Sequence, residues 1–133
     1  MKKPSGPSVL VVDDDRMSML MIARVASGLG CRCTTARTGA TGWREFIRTP
    51  FDLVVTDLNM PGGDGAVLAR RIREHGDVPV LLVTGLDEAS PVACGVDDLA
   101  GVEVLRKPMV PPRLREAMER RLESGLHRAV VAA

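Results

Sequence analysis

Four runs of apolar residues punctuate the chain, and each ends on polar groups. Val9–Val12 runs into Asp13-Asp14-Asp15, Phe51–Thr56 into Asp57, Val78–Val83 into Thr84-Gly85, and Val102–Leu105 into Arg106-Lys107-Pro108. A short, continuous apolar run suits a strand buried on both faces. Arg32–Ala36 reads as a weaker strand, and Cys31 and Cys33 are both read as strand residues. Helical periodicity fills the intervals. Arg16–Leu29 ends at Gly28 and Gly30, and Thr38–Arg48 closes before Pro50. Ala66–His75 offers Leu68, Ile72 and Val67 as an inner face. Pro111–Ser124 places Leu114, Ala117, Met118 and Leu122 on one stripe, which Leu126 continues. Asn59–Gly65 is a loop by composition. Asp87–Gly101 mixes helix formers with Pro91, Gly95 and Gly101. It predicts a short, irregular helix between Ser90 and Leu99 in a mobile connection.

Strand and helix alternate throughout, which predicts one doubly wound α/β layer: a parallel sheet with helices on both faces. Such sheets bind ligands beyond the carboxyl ends of their strands. Asp13, Asp14, Asp15, Asp57, Thr84 and Lys107 all fall at that rim. Neighbouring strands lie ~4.8 Å apart, so carboxylates on adjacent strand ends crowd together. Two such charges ~4 Å apart repel by about 4 kcal/mol at an effective dielectric of ~20. A hard divalent cation offsets that repulsion, and Mg²⁺ needs only one or two carboxylates. The plainer reading is a solvated acidic rim, with Lys107 as a salt-bridge partner. The richer reading adds Thr84 and Lys107 as ligands for a phosphoryl group.

Composition narrows the field. The chain has 133 residues, 45% hydrophobic and 26% charged, which suits a single globular domain. Its net charge of +1 gives no field to attract nucleic acid or an anionic membrane. Aromatic residues are only 2%, too few for a base-stacking platform. The apolar runs are too short to span a bilayer, and Met1–Ser8 lacks the apolar stretch of a signal peptide. Three cysteines, an odd number, read as reduced thiols in the cytoplasm.

Taken in order, Val-Val-Asp13-Asp14, Val-Val-Thr-Asp57-Leu-Asn-Met-Pro61-Gly-Gly-Asp-Gly65, Val-Thr84-Gly85 and Arg-Lys107-Pro108 resemble the response regulator receiver domain. The resemblance covers about Val9 to Leu126. It implies a flavodoxin-like, five-stranded parallel sheet in the order 2-1-3-4-5. Asp57 would be the phosphoacceptor, taking a phosphoryl group from a phosphohistidine of a sensor histidine kinase or histidine phosphotransfer protein. Asp14 and Asp57 would hold Mg²⁺, with Asp13 acting through water and Asn59 through its backbone carbonyl. Thr84 and Lys107 would hold the phosphoryl oxygens, and Lys107-Pro108 would be a cis peptide. Asp15 would stand outside the site. Met17, Ser18 and Met21 would face the docking partner. By the same reading, residues 1–7 are a leader, 8–126 the receiver and 127–133 a tail. Signalling then passes to a protein target, without an output domain, nucleic acid or membrane.

The sequence departs from the family at Val104, where many receivers carry the aromatic residue that swings inward on phosphorylation. The first helix has apolar residues all round: Met17, Met19, Leu20, Met21, Ile22 and Ala23. Leu20 and Ala23 are expected to fill the core, and the methionines to be partly exposed. Two rival functions stand beside the receiver. Asp13-x-Asp15 also fits the nucleophile motif of haloacid-dehalogenase-like phosphatases, in which Asp13 would be phosphorylated. A phosphate-independent adaptor, acting through its first or last helix, is the other.

Overall fold

The computed structural model describes residues 6–60, 64–85, 99–108 and 110–132, with the side chains of 64 and 124–132 left aside. Five strands, β1 (Ser8–Val12), β2 (Arg32–Ala36), β3 (Leu53–Asp57), β4 (Val80–Thr84) and β5 (Val102–Arg106), form one parallel sheet in the order β2-β1-β3-β4-β5. Among the described residues the helices are α1 (Arg16–Gly28), α2 (Gly39–Arg48), α3 (Asp64–His75) and α4 (Pro111–Ala132). The 2-1-3-4-5 order puts the topological switch between β1 and β3, so the crevice opens where Asp13 and Asp57 leave the sheet.

Strand alternation divides the core in two. Val9, Val11, Leu53, Val55, Leu81, Val83 and Leu105 face α1 and α4, meeting Ile22, Ala26, Leu114, Ala117 and Met118. Leu10, Val12, Val54, Val80 and Leu82 face α2 and α3, meeting Phe46, Leu68, Ala69 and Ile72. Both faces of β1, β3 and β4 are covered, which is why their sequences read as unbroken apolar runs. The three aromatic residues pack together on the second face. The Trp43 and Phe46 rings stack at 5.6 Å, Phe46 and Phe51 at 6.5 Å, and His75 stands edge-on to Trp43 at 5.7 Å.

Local chemistry sets the helix ends. The Asp15 carboxylate caps α1 by accepting from Ser18 N at 3.1 Å and Ser18 Oγ at 2.7 Å. Gly30, at φ +81°, lets the chain leave α1 through the left-handed region. Thr38 and Thr41 form a reciprocal capping box at the start of α2. Pro111 opens α4, where a missing N–H costs nothing.

Some expectations need correction. Val67 does not join the inner face of α3, being 48% exposed; Ala66 and Ala69 stand inside with Leu68 and Ile72. Leu20 is likewise 49% exposed, and Ile22 and Ala26 take the core positions of α1. On an apolar-all-round helix the period cannot choose the inner face. Cys31 is buried just ahead of β2, so only Cys33 is a strand residue. Helix α3 begins at Asp64, inside the expected loop, and α4 runs to Ala132, past the expected end at Ser124. The Gly6 and Pro7 carbonyls accept from Arg32 Nε and Arg32 N at 3.4 and 2.7 Å, ahead of β1. The irregular helix and mobile connection expected within Asp87–Gly101 fall mostly on residues 87–98, outside the described residues.

Candidate functional site

Backbone hydrogen bonding continues one residue beyond β1, β3 and β5, and the candidate functional groups sit at these strand ends. Asp13 N donates to the Ala36 carbonyl at 3.1 Å, Leu58 N to the Val83 carbonyl at 2.8 Å, and Lys107 N to the Thr84 carbonyl at 2.8 Å. The ladder therefore fixes the backbones around Asp13, Asp57 and Lys107 against one another. Asp13, Asp14 and Asp57 each present a carboxylate oxygen, all within 4.8 Å of one another. Asp13 and Asp57 are buried, whereas Asp14 is exposed. Lys107 is joined to Pro108 by a cis peptide, as the resemblance implied.

Asp13 has a strongly perturbed carboxyl. Its carboxyl is pushed up to about 6, chiefly by burial; the Asp15 N–H and Lys107 work against the rise, and the Asp57 and Asp14 charges add to it. Its Oδ1 accepts from Asp15 N at 2.9 Å, but its Oδ2 is buried without a hydrogen-bond partner among the described residues. A buried, unsatisfied carboxylate oxygen between two further carboxylates matches what a hard divalent cation requires: oxygen donors, negative charge and an open position. The residues present fit Mg²⁺.

Asp57 and its neighbours form a second set of contacts. Asn59 N donates to Asp57 Oδ1 at 3.1 Å, and Asn59 Nδ2 donates to Thr84 Oγ1 at 3.1 Å. Thr84 is fully buried, and its Oγ1 also lies 3.4 Å from the Gly85 carbonyl. The Asn59 side-chain link was missed in the sequence, where Asn59 was considered only for its carbonyl. Nothing in the spacing signals a contact across 25 residues. Gly65 was missed as well: a Cβ there would stand 2.1 Å from the Asp57 carbonyl oxygen. Only glycine lets α3 start this close to the end of β3.

Asp15 lies outside the carboxylate cluster, as expected. Its side chain caps α1 and its pKa is lowered, chiefly by the Ser18 hydroxyl. That arrangement removes the second acid from the Asp13-x-Asp15 phosphatase reading. It also engages the Ser18 hydroxyl in the cap. Met17 is 73% exposed, and with Leu20, Met21 and Val25 it lines a groove of about 780 Å³ against Pro111 and Arg115 of α4. Val104, paired with Leu82 across β4 and β5, is half-buried against the α2–α3 core. Among the described residues, Cys31 and Cys33 stand apart from the carboxylate cluster. Burial raises the Cys31 thiol and pushes Cys33 up to about 11, so both stay protonated and inert.

The doubly wound sheet carries an acidic cluster at its switch point, and β4 and β5 add a buried hydroxyl and a lysine along the same rim, the architecture of a signalling receiver. The chain matches the response regulator receiver domain over residues 9–119 and belongs to that family. It is similar to the virulence sensor protein BvgS of Bordetella pertussis, with 36% identity over 88% of this chain and 11% of that one. It is also similar to the aerobic respiration control protein ArcA of Escherichia coli, with 28% identity over 81% of this chain and 45% of that one. The chain thus spans about a tenth to a half of the length of these relatives. Among solved structures, it resembles a putative response regulator from Chloroflexus aurantiacus at 27% identity, with a TM-score of 0.79 over 90% of this chain and 99% of that one. Receiver domains work in two-component signalling, where they interact with histidine kinases or phosphotransfer proteins. Among the described residues, no helix is long and apolar enough to cross a membrane.

Proposed function

We propose that this receiver accepts a phosphoryl group on Asp57 from a phosphohistidine of a sensor histidine kinase or histidine phosphotransfer protein. The observation that carries the reading is the trio Asp13, Asp14 and Asp57 within 4.8 Å, with Asp13 Oδ2 buried and unsatisfied. Asp14, Asp57 and the Asn59 carbonyl would hold Mg²⁺, with Asp13 acting through water, and the bound ion would neutralise charge on the phosphoryl oxygens. An Asp57 carboxylate oxygen attacks phosphorus. The phosphorus–nitrogen bond breaks, the imidazole leaves and takes a proton from solvent, and an acyl phosphate forms. Thr84 donates its hydroxyl proton to a phosphoryl oxygen, and the Lys107 ammonium pairs with the same group. The signal passes to a downstream protein by contact, in the cytoplasm.

The groove between α1 and α4 supports the site of docking. Met17 and Met21 stand on the helix that follows Asp13 and Asp14, and their flexible side chains suit a recognition surface. A histidine-bearing helix laid there brings its imidazole to the rim. Phosphotransfer from a labelled phosphohistidine donor tests both parts. Asp57→Asn is expected to abolish transfer. Met21→Glu is expected to slow transfer from the protein donor at least about tenfold, the effect of burying one charge worth ~1.4 kcal/mol or more at the contact. It leaves modification by a small acyl phosphate unchanged. Equal slowing with both donors contradicts the docking surface, and transfer onto Asp57→Asn contradicts the acceptor.

A further inference from the structure

Asn59 is bonded at both ends to groups that phosphorylation would alter. Its backbone N–H donates to Asp57 Oδ1 at 3.1 Å, and its side-chain Nδ2 donates to Thr84 Oγ1 at 3.1 Å. The first acceptor is a carboxylate oxygen, whose charge falls when Asp57 becomes an acyl phosphate, and a hydrogen bond to it weakens. The second acceptor is a hydroxyl with a single proton, which in this arrangement points toward the Gly85 carbonyl, 3.4 Å away. Thr84 is fully buried, so no solvent competes for it. Leu58 and Met60, on either side of Asn59, are buried to 2% and 4% exposure. They pin the backbone on either side of the carboxamide that meets Thr84. Val104, a branched residue beside Leu82, has no ring to follow a moving Thr84.

We propose that the Asn59 carboxamide is a latch on Thr84: it positions the hydroxyl in the resting domain and is released when Thr84 turns to a phosphoryl group on Asp57. The Asn59 side chain is then a positioning group that acts through Thr84. Its side chain supplies the response that an aromatic residue at position 104 would otherwise give. The inference rests on Asp57 being the phosphoacceptor and adds the route by which that event is first registered.

The test combines NMR with intact mass on the full chain, using Mg²⁺ and acetyl phosphate. In the wild type, the Asn59 side-chain amide and the backbone amides of Thr84 and Gly85 are expected to shift as the adduct forms, with Val104 moving less. In unmodified Asn59→Ala, the Thr84 and Gly85 amides are expected to lie already toward their positions in the phosphorylated wild type. The adduct forms about two- to tenfold faster, the equilibrium worth of one ordinary hydrogen bond. Thr84 and Gly85 amides that stay at rest in the variant, or move elsewhere, overturn the latch. So does an Asn59 side-chain resonance indifferent to phosphorylation, a readout that needs no variant to fold. No adduct on the wild type is a separate failure: it removes the acceptor reading, and the latch with it.

Discussion

At the scale of single residues, the buried carboxyl of Asp13 makes the fold's stability depend on pH. Its carboxyl titrates near 6 in the folded domain, against an ordinary 3.8, mainly because it is buried. Below pH 3.8 it is protonated in both states and costs the fold nothing. As pH rises toward about 6 the unfolded chain releases the proton first, and stability is lost; above about 6 the loss is complete. Asp13→Asn is therefore expected to stabilise the metal-free domain by about 1–2 kcal/mol above that pH and not at all below about pH 4. Denaturant unfolding across that range checks it; a gain that persists at low pH contradicts it. Proton and cation compete for the same oxygens, so Mg²⁺ affinity should fall about tenfold per pH unit once pH drops below Asp13's midpoint. Calorimetric titration that finds a flat affinity there places the cation elsewhere. Gly101 is the second informative residue. At φ +82° a Cβ would meet the Arg73 guanidinium at 2.4 Å, and Arg73 Nη1 in turn donates to the Val78 carbonyl at 2.6 Å. Gly101→Ala should cost about 1–3 kcal/mol, whereas Gly76→Ala, with open space around it, should fall within about 0.5 kcal/mol of the wild type.

At the scale of elements, the close approach of α3 to β3 holds the acidic site in shape. Gly65→Ala drives a methyl group into the Asp57 carbonyl and the Leu58 backbone, which cannot yield as a flexible side chain can. A loss of about 1–3 kcal/mol is expected, with weaker Mg²⁺ binding; a variant that binds Mg²⁺ like the wild type contradicts this account of α3. On the opposite side, Glu103 of β5 accepts from Arg120 and Arg121 of α4, the Arg121 contact at 2.9 Å. Both pairs are partly exposed, so Glu103→Gln should cost no more than about 1 kcal/mol, and less at high salt. The strands were legible in the sequence because a doubly covered sheet writes unbroken apolar runs, and the rim was legible because each run ends in its functional group. The inner faces of α1 and α3 were less so. Leu20 and Val67 are apolar yet exposed, and the period alone cannot say which side of such a helix meets the sheet. Asn59 was illegible for a different reason: its partner Thr84 is brought to it only by the pairing of β3 with β4.

At the scale of the whole molecule, the strand order brings the groups together. Because β1 lies between β2 and β3, Asp13 and Asp57 leave the sheet as neighbours, and β4 and β5 add Thr84 and Lys107 along the same rim. Helix α1, which follows Asp13 and Asp14, lines a groove with α4, and the proposed docking surface starts there at Met17. The central claim is that this rim makes Asp57 a Mg²⁺-dependent phosphoacceptor. Intact-protein mass after incubation with Mg²⁺ and a small acyl phosphate tests it most directly, on wild type, Asp57→Asn and Asp13→Asn. One phosphoryl adduct on the wild type, absent from Asp57→Asn and from a metal-free control, is the expected result. An adduct that survives Asp57→Asn and disappears in Asp13→Asn would contradict it and make Asp13 the nucleophile.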